Sequence, residues 1–293
     1  KKQTFFKGIA VLVFGSLIAK ALGAFKTGVY QLVFPVFSLI LVLSSTAFPT
    51  AISKLIAEEK NFANQKLILK TSLTTLSLIG LFFGVLLFSL SGVIANIQGN
   101  AMATLPYMAI APSVLFVSVI SVFRGYFQGK MNMTPTSVSN IFEQFFKLIF
   151  GLCLAFLFVP QGLEYGVLGA VLGVTLSEVV TLIYITATYF MAKEKNEINT
   201  KSTLIKKEVI QKLFKTSIPI VFANIIIPLS ILLDSMLVVN LLTSSGFENS
   251  QSTILWGIES GVVMSVINLP VVLTLQIATC IVPSLVLNLE GSK

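Results

Sequence analysis

The chain has 293 residues, 55% of them hydrophobic and 11% charged, with a mean hydropathy of +0.92 and a formal net charge of +8. A soluble domain carries about 25% charged residues, and a soluble core of this size could not hide so much apolar surface, so the composition calls for lipid and argues against a soluble enzyme. There is no His, and the two Cys, Cys153 and Cys280, lie far apart in apolar stretches. Neither a disulfide framework nor a metal-ligand spacing can be read from them, and the usual zinc and imidazole-based chemistry lacks its residues.

A bilayer core of about 30 Å needs roughly 20 apolar helical residues. Eight stretches reach that length: 5–25, 29–57, 67–95, 104–128, 135–159, 166–191, 211–242 and 254–288. The runs are continuous, whereas barrel strands would show about 10 residues of alternating polarity, so each is read as a helix. Lys1, Lys2 and Lys7 precede span 1, which shows no small-residue cleavage site and ends near Lys20 and Lys26. Lys54, Lys60, Lys66 and Lys70 surround the connection between spans 2 and 3, and Arg124 and Lys130 flank that between spans 4 and 5. Span 5 carries Glu143 and Lys147, and span 6 carries Glu178. Seven lysines from Lys193 to Lys215 fill the next connection, span 7 holds Asp234, and Lys293 follows span 8. All but three of the 20 Lys and Arg thus fall on one side, and the connections around 96–103, 160–165 and 243–253 have none. The positive-inside rule then predicts a multi-pass protein of the cell membrane with a cytoplasmic N-terminus. Cations in short loops, not on one face of a domain, also argue against nucleic acid as a partner.

Spans 1 and 7 begin alike: Phe6-Lys7 matches Phe214-Lys215, Phe14 matches Phe222 and Ile18 matches Ile226. Spans 2 and 8 share Pro35 with Pro270 and Pro49 with Pro283, at spacings of similar length. Apolar helices resemble one another by chance, but prolines are costly in helices and tolerated where neighbours re-satisfy the freed carbonyls. The pattern reads as a duplicated six-span unit, a common transporter plan with the substrate site between the repeats. Residues 1–191 would form one lobe, 192–210 a cytoplasmic linker, and 211–293 the first two spans of a second lobe.

Four blocks carry a family resemblance. They are Gly28-Val29-Tyr30-Gln31 with Phe34-Pro35 and Phe48-Pro49 through Glu58; Phe123-Arg124-Gly125-Tyr126-Phe127-Gln128-Gly129 through Met133-Thr134-Pro135-Thr136 to Glu143-Gln144; Ile227-Pro228-Leu229 to Asp234-Ser235; and Asn268-Leu269-Pro270. In these the chain resembles the multidrug/oligosaccharidyl-lipid/polysaccharide (MOP) exporter superfamily, in the branch of the lipid II flippases and stage V sporulation protein B. The resemblance implies an all-α, two-lobe transporter of about fourteen spans, so that six more are expected beyond residue 293, with residues also expected near Lys26. It implies a lipid-linked anionic saccharide as substrate, membrane lipid as surroundings, no cofactor, and a monomer.

The ionisable residues inside the spans are the site candidates, because a charge at the bilayer centre costs about 2.5–3.5 kcal/mol on insertion scales. On position alone Lys20 and Lys26 are equally snorkelling interfacial residues. The resemblance places Lys20 where flippases carry a cavity arginine and Lys26 near a second, both expected to attract substrate diphosphate. A further family arginine has no counterpart in Phe37-Ser38-Leu39-Ile40-Leu41. Glu143 and Lys147 stand i,i+4 in the favourable order, either a self-neutralised pair or a cavity-lining pair whose Lys changes partner when phosphate arrives. Glu178 is expected to face the same space. Asp234 is either a protonated helix–helix contact or a coupling site for Na⁺ or H⁺; the resemblance favours a sodium ion there. The expected activity is the flipping of a lipid-linked precursor, lipid II for peptidoglycan foremost, by alternating access and without bond chemistry. The alternatives are export of another lipid-linked polysaccharide, a cation-coupled multidrug antiporter, and a membrane scaffold.

Overall fold

The structure is a computed structural model that describes residues 24–192, 204–264 and 266–267. Within them every regular element is helical: α1 (Ala24–Leu41), α2 (Phe48–Glu58), α3 (Phe62–Ile97), α4 (Thr104–Gly129), α5 (Met133–Phe158), α6 (Leu163–Met191), α7 (Lys206–Ser244) and α8 (Asn249–Ile258). Six membrane-length apolar helices appear among these residues: 27–58 (α1 and α2 together), 62–97, 101–129, 133–161, 164–191 and 206–244. They correspond to spans 2 to 7, and the chain is a multi-pass membrane protein. Span 1 and most of span 8, on which the repeat rests, lie outside the described residues.

Local sequence sets the boundaries. Asn61, Asn100 and Asn132 each turn a side-chain oxygen onto a backbone N–H two residues on, capping the turns that open α3, the short helical turn Ala101–Ala103 and α5. Span 2 is jointed. Between α1 and α2 lies a π-helical turn, Val42–Thr46, just before Pro49, which has no N–H to continue the ladder. There the Ser45 and Thr46 hydroxyls both donate to the Leu41 carbonyl, at 2.9 and 3.0 Å. α3 and α7, at 36 and 39 residues, would be about 54 and 58 Å long, so both extend past the hydrocarbon core. The first turns of α7 include Lys206, Lys207 and Gln211, so this helix starts before the apolar run does.

Two apolar clusters stack along the bundle. One, at the end near the 98–100 turn, joins Val29, Val33 and Phe37 of α1 to Leu87, Tyr107, Ile110, Ala155 and Val171. The other, at the lysine-rich end, joins Phe48, Ile52 and Ile56 of α2 to Ile68, Ile120, Phe123, Ile185, Val209 and Leu213. The π turn of span 2 falls between them. At the lysine-rich end α2 and α4 touch backbone to side chain: a Cβ on Gly125 would lie 2.8 Å from the Ile52 Cβ, and one on Gly129 only 2.6 Å from that of Ile56. Small residues are what permit such an approach. Exposed apolar side chains such as Phe82, Phe88, Phe156 and Ile183 cover the outside, as a lipid-facing surface requires.

α7 packs unevenly. Its buried residues are Val209, Leu213 and Ser217 at one end and Ser235 and Val239 near the other, with none between. The unburied stretch carries Pro219 and Pro228. Trp256 of α8 is 1% exposed and packs on Leu32, Val238 and Val239, so it is a packing residue and not an interfacial anchor.

Candidate functional site

A buried ionic cluster joins α4, α5 and α6. Glu143 is its centre: Oε2 receives Arg124 Nη2 at 3.0 Å and Oε1 receives Lys147 Nζ at 3.1 Å and Gln144 Nε2 at 3.0 Å. Lys147 Nζ also stands 3.8 Å from Glu178 Oε1, whose side chain is 4% exposed. Arg124 Nε donates to Ser139 Oγ at 3.0 Å, and Ser139 passes its own hydrogen to the Thr136 carbonyl.

Helical spacing explains the meeting. Glu143 and Lys147 share one stripe of α5, about 15 and 21 Å from its start at Met133. Glu178 lies mid-way along α6, the helix packed along α5. Arg124 lies about 7.5 Å inside the end of α4, and its long side chain covers the difference in depth. Two acids and two bases leave the cluster neutral overall. Parting it would leave an uncompensated charge at a cost of about 3–5 kcal/mol. Lys147 is therefore held by two carboxylates, and among the four residues no charge is left over to draw an anion.

Sequence reasoning brought Glu143, Lys147 and Glu178 to one place, and the structure does the same. It missed Arg124, which looked like a loop cation because it stands near a connection. The signal was its position five residues inside a helix, within the Phe123–Gly129 block. Asp234 lies elsewhere, exposed on α7, and makes no hydrogen bond or ion pair among the described residues; Glu259 of span 8 is within electrostatic reach. Lys20 lies outside the described residues, as does the side chain of Lys26, whose backbone belongs to the first turn of α1.

A second polar arrangement, with no charges, ties the 97–100 turn to α7 and α8. Gln98 Nε2 donates to the Leu32 carbonyl at 3.0 Å and to Ser235 Oγ at 2.9 Å, and the Tyr107 hydroxyl sits between the same carbonyl and Gln98 Oε1. Asn100 Nδ2 donates to Thr253 Oγ1 at 3.0 Å, Asn240 Nδ2 to the Ile97 carbonyl at 2.8 Å, and Asn249 Nδ2 to the Gly99 carbonyl at 2.6 Å. Beside this clasp α1 and α8 meet at their glycines: a methyl on Gly257 would lie 2.5 Å from the Gly28 Cα.

Comparison with known proteins agrees with this architecture. The chain is 29% identical over 313 residues to stage V sporulation protein B of Bacillus subtilis (strain 168), covering all of this chain and 60% of that protein. It is 25% identical over 261 residues to the lipid II flippase MurJ of the same organism, covering 76% of this chain and 47% of the flippase. The chain thus spans about 60% of the first of these relatives and about half of the second. A solved multidrug resistance MATE family transporter of the MOP superfamily shares the fold, with a TM-score of 0.64 at 17% identity over 86% of this chain and 57% of that one. The model of the polysaccharide biosynthesis protein family matches residues 3–286, and the chain belongs to that family.

Proposed function

We propose that the protein moves a lipid-linked, negatively charged saccharide precursor across the cell membrane by alternating access, with lipid II as the foremost cargo. The carrying observation is the packing of α7. It is buried at both ends, latched at one by the neutral clasp, and unburied between Ser217 and Ser235. The unburied middle is the face that the remainder of a second lobe would line, and transporters place their substrate between such lobes near the middle of the membrane. The clasp would be the seal on the outer side and the lysine-rich end the cytoplasmic side, as the positive-inside rule places them. The proposed plan keeps 1–191 as one lobe, 192–210 as linker and 211–293 as the start of the second.

In this reading the anionic headgroup is drawn by Lys20 and Lys26. The neutral Arg124–Glu143–Lys147–Glu178 cluster fixes the lobe through which they are presented, and Lys147 changes partner only if substrate phosphate enters. Asp234 is the proposed coupling residue, for Na⁺ or H⁺. No bond is made or broken. A second reading, a cation-coupled multidrug antiporter, draws on the exposed acid Asp234 with Glu259 nearby.

The test is depletion of the full-length protein followed by assay of lipid II on each leaflet. Accumulation on the inner leaflet is expected; undisturbed outward movement rules out lipid II as the cargo. Lys20→Glu should abolish complementation. Asp234→Ala should remove the cation dependence of transport, and an unchanged dependence rejects the coupling role.

A further inference from the structure

At the lysine-rich end, away from both polar arrangements, a cavity of about 200 Å³ opens between the ends of α3, α4, α5 and α6. Its lining is Phe62, Tyr126, Phe127, Lys130, Asn132 and Tyr189, with Ala192 at the edge, and it contains no Asp or Glu. Lys130 packs its ammonium 5.3 Å from the centre of the Phe62 ring and has no salt-bridge partner among the described residues. Tyr126 and Tyr189 meet edge to face at 5.4 Å and form a rigid aromatic wall. Just past Lys130, α5 begins at Met133 with Asn132 as its cap, so the positive end of a 26-residue helix dipole stands beside the ammonium.

The rim differs from the interior. Met131, Met133, Phe190 and Met191 are exposed, Met131 at 82% and Met191 at 86%. Met131 is held out in the left-handed region at φ +58°, a conformation uncommon for a side chain of its kind. Large apolar side chains around a basic, aromatic hollow suit the level where acyl chains meet headgroups, not open water.

We propose that this cavity binds the phosphate of a lipid headgroup in the leaflet at the lysine-rich end. Lys130 and the α5 N-terminus would hold the charge, while the phenol groups of Tyr126 and Tyr189 would supply donors. The aromatic wall would take the glycerol or sugar next to the phosphate, and the methionine rim the start of the chains. The volume suits a phosphate with one such group and is too small for a whole lipid-linked oligosaccharide. The same chemistry is offered by a resident anionic glycerophospholipid and by the diphosphate of a polyprenyl-linked saccharide.

Native mass spectrometry of the full-length protein separates the sources, with phosphatidylglycerol, a polyprenyl diphosphate and inorganic phosphate as probes. One or both lipids should be retained, and Lys130→Gln should weaken retention about fivefold, the worth of one cation near an anionic headgroup. Lys130→Arg should restore it, and Tyr189→Phe should weaken it less, so that a loss due to misfolding is told apart from a loss of the charge. Retention of phosphatidylglycerol alone assigns a structural lipid, and of the polyprenyl diphosphate alone a waiting site for cargo. The proposal is overturned if lipid retention ignores Lys130, or if inorganic phosphate binds as well as either lipid.

Discussion

The two polar arrangements in this bundle are built from opposite materials. Inside the α4–α5–α6 unit the contacts are ionic, buried and self-neutralised around Glu143. Between the 97–100 turn and α7–α8 they are amide and hydroxyl hydrogen bonds with no charge at all. An ion pair in a low-dielectric interior cannot be parted cheaply, because each half left behind is an unpaired charge. A neutral hydrogen bond is exchanged for one to water at a net cost of only about 0.5–1.5 kcal/mol. Ionic contacts therefore suit a unit that stays assembled, and neutral ones suit a surface that opens and closes.

The largest expected effect lies in the ionic cluster. Glu143→Ala strands Arg124, leaves Lys147 only the more distant Glu178, and should lower stability by about 3–5 kcal/mol, read as a lower melting temperature of the full-length protein in detergent. Glu178→Gln leaves Lys147 its nearer partner and should cost less. In the clasp, Gln98→Leu removes the group shared by Leu32, Tyr107 and Ser235 and should cost about 1–3 kcal/mol. Thr253→Ala removes one neutral bond from Asn100 and should cost about 1 kcal/mol, read as a smaller fall in melting temperature. The smallest effect belongs to Lys54→Ala, whose partner Glu58 stands 3.9 Å away on an exposed face; about 0.5 kcal/mol or less is expected. Should Glu143→Ala melt no earlier than Thr253→Ala, the contrast between the two regions fails.

Much of the fold could be read from apolar run length. The stretch 104–128 emerges as the helical 101–129, and 166–191 as 164–191, because twenty apolar residues in lipid have one way to satisfy their backbone. The Glu143–Lys147 pair was also legible, since i,i+4 spacing decides neighbours within one helix. Contacts between helices are set by rotation and depth, which a single chain of letters does not carry. Hence Arg124 passed for a loop cation, and the partners that Asn100, Asn240 and Asn249 find across the 97–100 turn could not be read in advance. The joint in span 2 had a visible cause, Ser44-Ser45-Thr46 ahead of Pro49, but its form as a π turn depends on hydroxyls folding back onto Leu41.

Spin-label distances in the full-length protein, taken with and without a lipid-linked substrate, test the division between fixed and opening contacts most directly. One label pair should report from the 97–100 turn to the α7–α8 connection, and another from α5 to α6 beside the cluster. Substrate should lengthen or broaden the first distance and leave the second unchanged. A first distance that never moves, or a second that moves as much as the first, would contradict it.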